Sequence, residues 1–196
     1  MFKKTLFATA LMLSSASTFA ATEAYVIDGS HTQTEFSWNH FGFSNPSANF
    51  DKIEGTINYD AADPTKSSVD VTIAIDSINS HVTKLDEHLQ SADFFDAAQF
   101  PTATFKSTKI AKGTAKDEFK VTGDLTIHGV TKAVTLDATL NRAGAHPMSK
   151  ALTVGFDAKV VIKRSEFGVG NYVPNVSDDV KIHITTEASV PKQAAK

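Results

Sequence analysis

The chain has 196 residues, a formal net charge of −3, 41% hydrophobic and 21% charged residues, and no cysteine. The absent cysteines exclude disulfides, thiol catalysis and thiolate metal sites. The mild acidity argues against non-specific binding to nucleic acid or to anionic lipid surfaces.

Residues 1–20 read as a secretory signal peptide. Lys3 and Lys4 give a basic start, and Leu6 to Leu13 is an apolar stretch too short to span a bilayer. Thr18-Phe19-Ala20 ends in small residues, which predicts cleavage after Ala20 and a periplasmic location in a Gram-negative host. That leaves residues 21–196, about 176 residues, as one domain. Losing Lys3 and Lys4 takes the net charge from −3 to about −5. No second apolar run reaches transmembrane length.

Tyr25-Val26-Ile27 predicts a short strand, stopped by Asp28-Gly29-Ser30. Thr34, Phe36, Trp38 and His40 then alternate with polar residues, so one strand face carries Phe36, Trp38 and His40. Phe50, Ile53, Ile57 and Tyr59 change parity near Asp51-Lys52, which predicts a bulge there. Val69, Val71, Ile73 and Ile75 alternate next.

From His81 to Pro101 the period changes. Val82, Leu85 and Leu89 fall at i, i+3 and i+7, which predicts a helix over about 82–90, with Ser80 placed to cap it. Ser91 offers a second cap ahead of Phe94 and Phe95, and Pro101 returns the chain to an extended path. His81 and His88, seven apart, would share one side of that helix but stand too far apart for one metal ion.

Strands resume at Ala103, Phe105 and Ser107. Phe119 to Ile127 and Val134 to Leu140 flank a tight hairpin at His128-Gly129. Asn141 to Lys150 reads as a polar loop. Leu152, Val154, Phe156, Ala158, Val160 and Ile162 form a long strand, and Val180, Ile182 and Ile184 form the last. About nine strand-like segments, no βαβ alternation and one lone helix predict an antiparallel all-β domain. The pattern fits a sandwich or a barrel of about eight staves, filled or hollow. Strand alternation points Phe36, Trp38, Ile73, Ile75, Phe105 and Leu125 inward, together with Ile127, Val154, Phe156, Ile182 and Ile184.

No nucleophile elbow, His-Glu-x-x-His or phosphate-cradling glycine loop occurs, so an enzyme is not expected. His-Leu-Gln-Ser-Ala-Asp-Phe-Phe-Asp at 88–96, followed by Gln-Phe-Pro-Thr-Ala-Thr-Phe, resembles the central motif of the YceI-like family of periplasmic lipid-binding proteins. Phe36-x-Trp38-x-His40-x-Gly42, Gly123 to Lys132, Arg164-Ser165-Glu166-Phe167-Gly168 and Asp179-Val180-x-Ile182-x-Ile184 resemble its other signatures. The resemblance implies a hollow, lipocalin-like, extended antiparallel eight-stranded barrel with one short helix capping the mouth. It implies a carrier that holds a long-chain isoprenoid, polyprenyl or quinone, or a similar lipid; the alternatives are a ligand-free structural or stress-response interaction protein with a filled barrel, and an enzyme acting on lipid.

On that reading the inward strand residues from Phe36 to Phe156 become the ligand wall. Val82, Leu85 and Leu89, with Phe94 and Phe95 beyond the helix, would cover the opening, and His88 and His40 would be candidates to meet the polar head. A diphosphate head wants several cations and the helix offers only Lys84, so a quinone or an amide fits better. No cofactor beyond the lipid and no metal are expected. The oligomeric state stays open, a homodimer included.

Overall fold

The computed structural model describes residues 22–192. The predicted signal peptide therefore lies outside the described residues. Eleven strands form one antiparallel sheet. They are β1 (Glu23–Ile27), β2 (Gln33–Ser37), β3 (Ser47–Phe50), β4 (Ile53–Tyr59), β5 (Ser68–Ala74), β6 (Ile78–Asn79), β7 (Thr102–Lys112), β8 (Glu118–Ile127), β9 (Val130–Ala145), β10 (Leu152–Lys163) and β11 (Asp179–Ser189). The helix α1 spans Thr83–Gln90.

The sheet closes because β11 pairs twice on one side. Its C-terminal part holds β1, with Ile27 opposite Ala188, and its N-terminal part holds β2, with Phe36 opposite Ile182. β1 and β2 are thus two halves of one broken stave. β4 and β3 pair with those halves in turn, and β5 and β6 pair with β4 and β3. Three broken staves and five continuous ones make a closed eight-stranded barrel.

Side-chain chemistry explains the breaks. The Asp28 carboxylate accepts from the Ser30 N–H at 2.9 Å and starts a 3-10 turn between β1 and β2. Between β3 and β4 the Ser77 hydroxyl accepts from Lys52 N–H at 3.0 Å and donates to the Ala74 carbonyl at 2.6 Å. Ser77 is buried and so ties the second break to the third. The parity slip at Asp51-Lys52 is therefore a stave break, not a bulge. Real register shifts occur in β7 between Ser107 and Lys109, and in β10 between Gly155 and Phe156. At the first of these, Ser107 accepts from Val69 N–H at 2.8 Å.

Other sequence expectations also move. β2 stops at Ser37, because Trp38 onward turns to the loop that reaches His40. β9 runs on to Ala145, through residues that read as loop, because Gly144 and Ala145 pair with Thr153 and Leu152. Backbone pairing needs no apolar alternation where a ribbon leaves the core. The hairpin at His128-Gly129 forms as expected, with φ of 51° and 73° and Ile127 opposite Val130. Two positive φ values match the turn that suits strand twist.

Register fixes the two ends. One end carries the 38–46 loop, the helix with its following turn, the His128 hairpin and the 164–178 segment. The other end is closed by packing among Tyr25, Ile27, Ile57, Tyr59, Val154 and Ala188.

Candidate functional site

α1 lacks a side-chain cap at its own N-cap position, Val82. The Asp86 carboxylate instead reaches back to the Ser80 N–H at 2.7 Å, and the Ser80 hydroxyl takes the Val82 N–H at 3.3 Å. Ser80 therefore helps start the helix from two residues further out than a direct cap. Val82 is 54% exposed and covers nothing, which corrects its place in the apolar stripe. His81 precedes the helix with φ of 63°, so the two-turn relation to His88 does not form. Leu85 and Leu89 do face the barrel interior.

The barrel is hollow. A cavity of about 690 Å³ runs from Tyr59, Ile57 and Phe156 at the closed end to His40, His88 and Tyr172 at the other. That size falls within the range of small-molecule sites, roughly 300–1,000 Å³. Its wall is almost wholly aliphatic and aromatic. Of the hydroxyls that enter it, those of Thr32 and Thr186 bond each other at 2.8 Å, and that of Ser67 accepts from the Asp60 N–H at 3.0 Å.

Most sequence-predicted site residues line this cavity: Phe36, Trp38, Ile73, Phe105, Leu125, Ile127 and Phe156 on the strands, Leu85, His88 and Leu89 on α1, and Phe94, Phe95 and His40 around the mouth. Ile75 and Val154 do not. β5 ends at Ala74, and Ile75 turns into a 3-10 segment whose packing leaves it 1% exposed, away from the cavity. Val154 keeps its inward parity but sits in the packed plug below the cavity floor. Parity gives a side, not a height along the barrel.

Phe36 organises the upper wall. It stacks on Trp38 at 5.7 Å and on Phe50 at 5.2 Å, and meets Phe95 edge-on at 6.2 Å. Phe95 thereby plugs the turn after α1 into the barrel. His88 stands edge-on to Phe94 at 5.0 Å and 6.4 Å from the Tyr172 ring. Its Nε2 lies 3.5 Å from the Asp93 carboxylate.

The cavity-lining residues that are also exposed are His40, Phe41, Ser44, His88 and Tyr172. All five are at the helix end, so the mouth opens between the C-terminal turn of α1, the 38–46 loop and the segment around Tyr172. The helix covers only part of that end.

Arg164 was not singled out from sequence as a site residue, although it opens the Arg-Ser-Glu-Phe-Gly signature. It is 8% exposed and borders the same end of the cavity. Its Nε donates to the Ser177 carbonyl at 2.9 Å, Nη1 to Val169 at 2.6 Å and Nη2 to Val176 at 2.9 Å. Burial pushes its pKa down, and the Asp178 carboxylate opposes that shift. Among the described residues no carboxylate lies within ion-pair distance of it. A buried cation thus stands near the mouth of an apolar cavity.

A family model described as the YceI-like domain matches residues 25–188. The chain belongs to the YceI-like family. Protein YceI of Escherichia coli O6:H1 is 37% identical over 177 residues, covering 90% of this chain and 91% of that protein. The crystal structure of Burkholderia cenocepacia BcnA superposes with a TM-score of 0.74 at 28% identity, covering 83% of this chain and 99% of that one. A polyisoprenoid binding domain from Saccharophagus degradans, implicated in plant cell wall breakdown, superposes with a TM-score of 0.68 at 16% identity. It covers 86% of this chain and 99% of its own, and at that identity it shows a shared fold. Among the described residues no helix is long and apolar enough to cross a membrane.

Proposed function

We propose that this YceI-like protein is a periplasmic carrier that sequesters one long-chain isoprenoid or similar lipid in its barrel. The observation that carries the reading is the predominantly apolar cavity of about 690 Å³, whose exposed lining residues all lie at one end. Burying methylenes contributes about 0.8 kcal/mol each. About ten of them give roughly 8 kcal/mol before ordering costs, so the chain supplies most of the affinity and the head supplies orientation. The ligand named for the Saccharophagus domain, a polyisoprenoid, fits a cavity of this shape and polarity.

The strand residues Phe36, Trp38, Ile73, Phe105, Leu125, Ile127 and Phe156 hold the chain. His88 meets the head, with Arg164 near it and His40 at the rim. Both His88 and Arg164 can donate hydrogen bonds, which favours a head with oxygen acceptors, such as a quinone carbonyl. Export after cleavage behind Ala20 brings the protein to its cargo.

Mass spectrometry of an organic extract of the purified protein tests this reading, together with titration by a long-chain isoprenoid quinone. A co-purifying isoprenoid and saturable 1:1 binding are expected. No extractable lipid and no binding by the parent overturn it. N-terminal sequencing of the exported protein should begin at Ala21.

A further inference from the structure

The rim of the cavity mouth has an unusual composition. Residues 36–50 contain no Asp, Glu, Lys or Arg, and neither do residues 167–177, in a chain that is 21% charged. These two stretches meet in space. The Phe41 N–H donates to the Asn175 carbonyl at 2.9 Å, the Ser177 N–H donates to the Asn39 carbonyl at 2.9 Å, and His40 bridges to Val176. They form one continuous uncharged surface.

That surface exposes large apolar side chains. Phe43 is 93% exposed, Tyr172 55% and Phe41 49%. Phe41 and Tyr172 also line the cavity, so the exposed rim and the apolar interior are one unbroken surface. Phe43 lies outside the lining, on the same loop as Phe41. The charges that flank the two stretches in sequence are Glu35, Asp51, Glu166 and Asp178, all acidic.

We infer that the Phe41, Phe43 and Tyr172 rim docks the barrel mouth-down on the surface of an uncharged, zwitterionic phospholipid bilayer. Exposed Phe and Tyr beside Asn, Ser and His match the half-apolar, half-wet boundary of a bilayer. The two stretches carry no Lys or Arg, Arg164 is buried beneath them, and Asp93 beside Asn171 joins the flanking acids, which argues against electrostatic attachment to anionic lipid. Docked this way, the cavity opens into the acyl region, and an apolar chain passes between membrane and barrel without crossing water. The docking is independent of the cargo; only what is exchanged rests on the carrier reading.

Co-flotation of the mature chain with phosphatidylcholine vesicles tests the inference, with vesicles containing phosphatidylglycerol as a second arm. Expected results are flotation with phosphatidylcholine, no gain from phosphatidylglycerol, and no release by salt. Phe43→Ser should lower the partition coefficient about tenfold, the worth of a partly buried phenyl ring, with an unchanged melting temperature. The inference is overturned by a parent that stays in the soluble fraction, by a Phe43→Ser variant that floats like the parent, or by a Phe43-dependent dimer that does not float. Quinone titration of the same samples separates the two readings. Binding without flotation removes the docking alone, and flotation without binding removes the carrier alone.

Discussion

His88 sits between the inside and the outside of the barrel, its ring lining the cavity while its Nε2 lies 3.5 Å from the Asp93 carboxylate. The His88 side chain is 45% exposed, so the fold does not depend on it. His88→Ala should keep the melting temperature and weaken binding of an isoprenoid quinone by roughly tenfold, about one hydrogen bond. Isothermal titration of parent and variant reads the difference. Unchanged affinity takes His88 out of the site.

Arg164 should be a structural hub of the mouth. Its three hydrogen bonds to Ser177, Val169 and Val176 carbonyls span the segment that carries Tyr172. Arg164→Ala should destabilise the fold by about 2–4 kcal/mol, because charged hydrogen bonds are lost and carbonyls are left unpaired. Arg164→Lys should recover little of this, since one ammonium cannot match the planar fork. Thermal melts, with limited proteolysis at 168–177, would show whether the loss is local to that segment.

Leu125 is buried in the cavity wall opposite Phe105. Leu125→Asp puts a carboxylate there with no partner and should cost about 3–5 kcal/mol. A variant that melts with the parent would mean that the inner face has been misassigned.

At Gly129, φ is +73°, and an added Cβ would lie 2.6 Å from Cε1 of Phe100. Gly129→Ala therefore meets two penalties, a backbone one of about 1–2 kcal/mol and a steric one. Adding Phe100→Ala should relieve the second and leave the first. Full recovery in the double variant would contradict a backbone contribution.

The Asp28–His31 pair predicts a pH window. The Ser30 hydroxyl, the His31 ring and the Ser30 N–H hold the Asp28 carboxyl down at about 2, from 3.8. The Asp28 hydrogen bond and charge raise the pKa of His31 above its ordinary 6.5. Asp28 thus stabilises the fold above about pH 3.8, and that contribution is lost as pH falls towards 2. His31 stabilises below about 6.5, and its contribution is lost as pH rises through the raised value. The pair is at full strength between those limits, and its effect is small because both groups are exposed. An NMR titration should show His31 returning towards its ordinary pKa in Asp28→Asn.

The alternating residues of β8, β10 and β11 made the all-β class readable, because a strand facing a core must alternate. The helix α1 was readable from Val82, Leu85 and Leu89, whose i, i+3, i+7 spacing would scatter them over both faces of a strand. The His128-Gly129 turn was readable because few residue pairs accept two positive φ values. The family signatures named a hollow barrel, which periodicity left open: an inward face reads the same against a cavity as against packed side chains.

Where the pattern failed, distance along the barrel or contact between remote segments was the cause. Val154 and Phe156 have the same parity, yet one lies in the closing plug and the other on the cavity floor. Ile75 continues the pattern of β5 on paper, but the chain has already left the strand. Arg164 became a buried cation only when Ser177, Val169 and Val176 were folded around it. The charge-free stretches at 36–50 and 167–177 are plain in the sequence, but they lie over a hundred residues apart. The sequence by itself determined which faces are apolar, since that depends on neighbours two to four residues away. Tertiary structure decided where the barrel is empty and where it opens, since both depend on closure between β1, β2 and β11, at opposite ends of the chain.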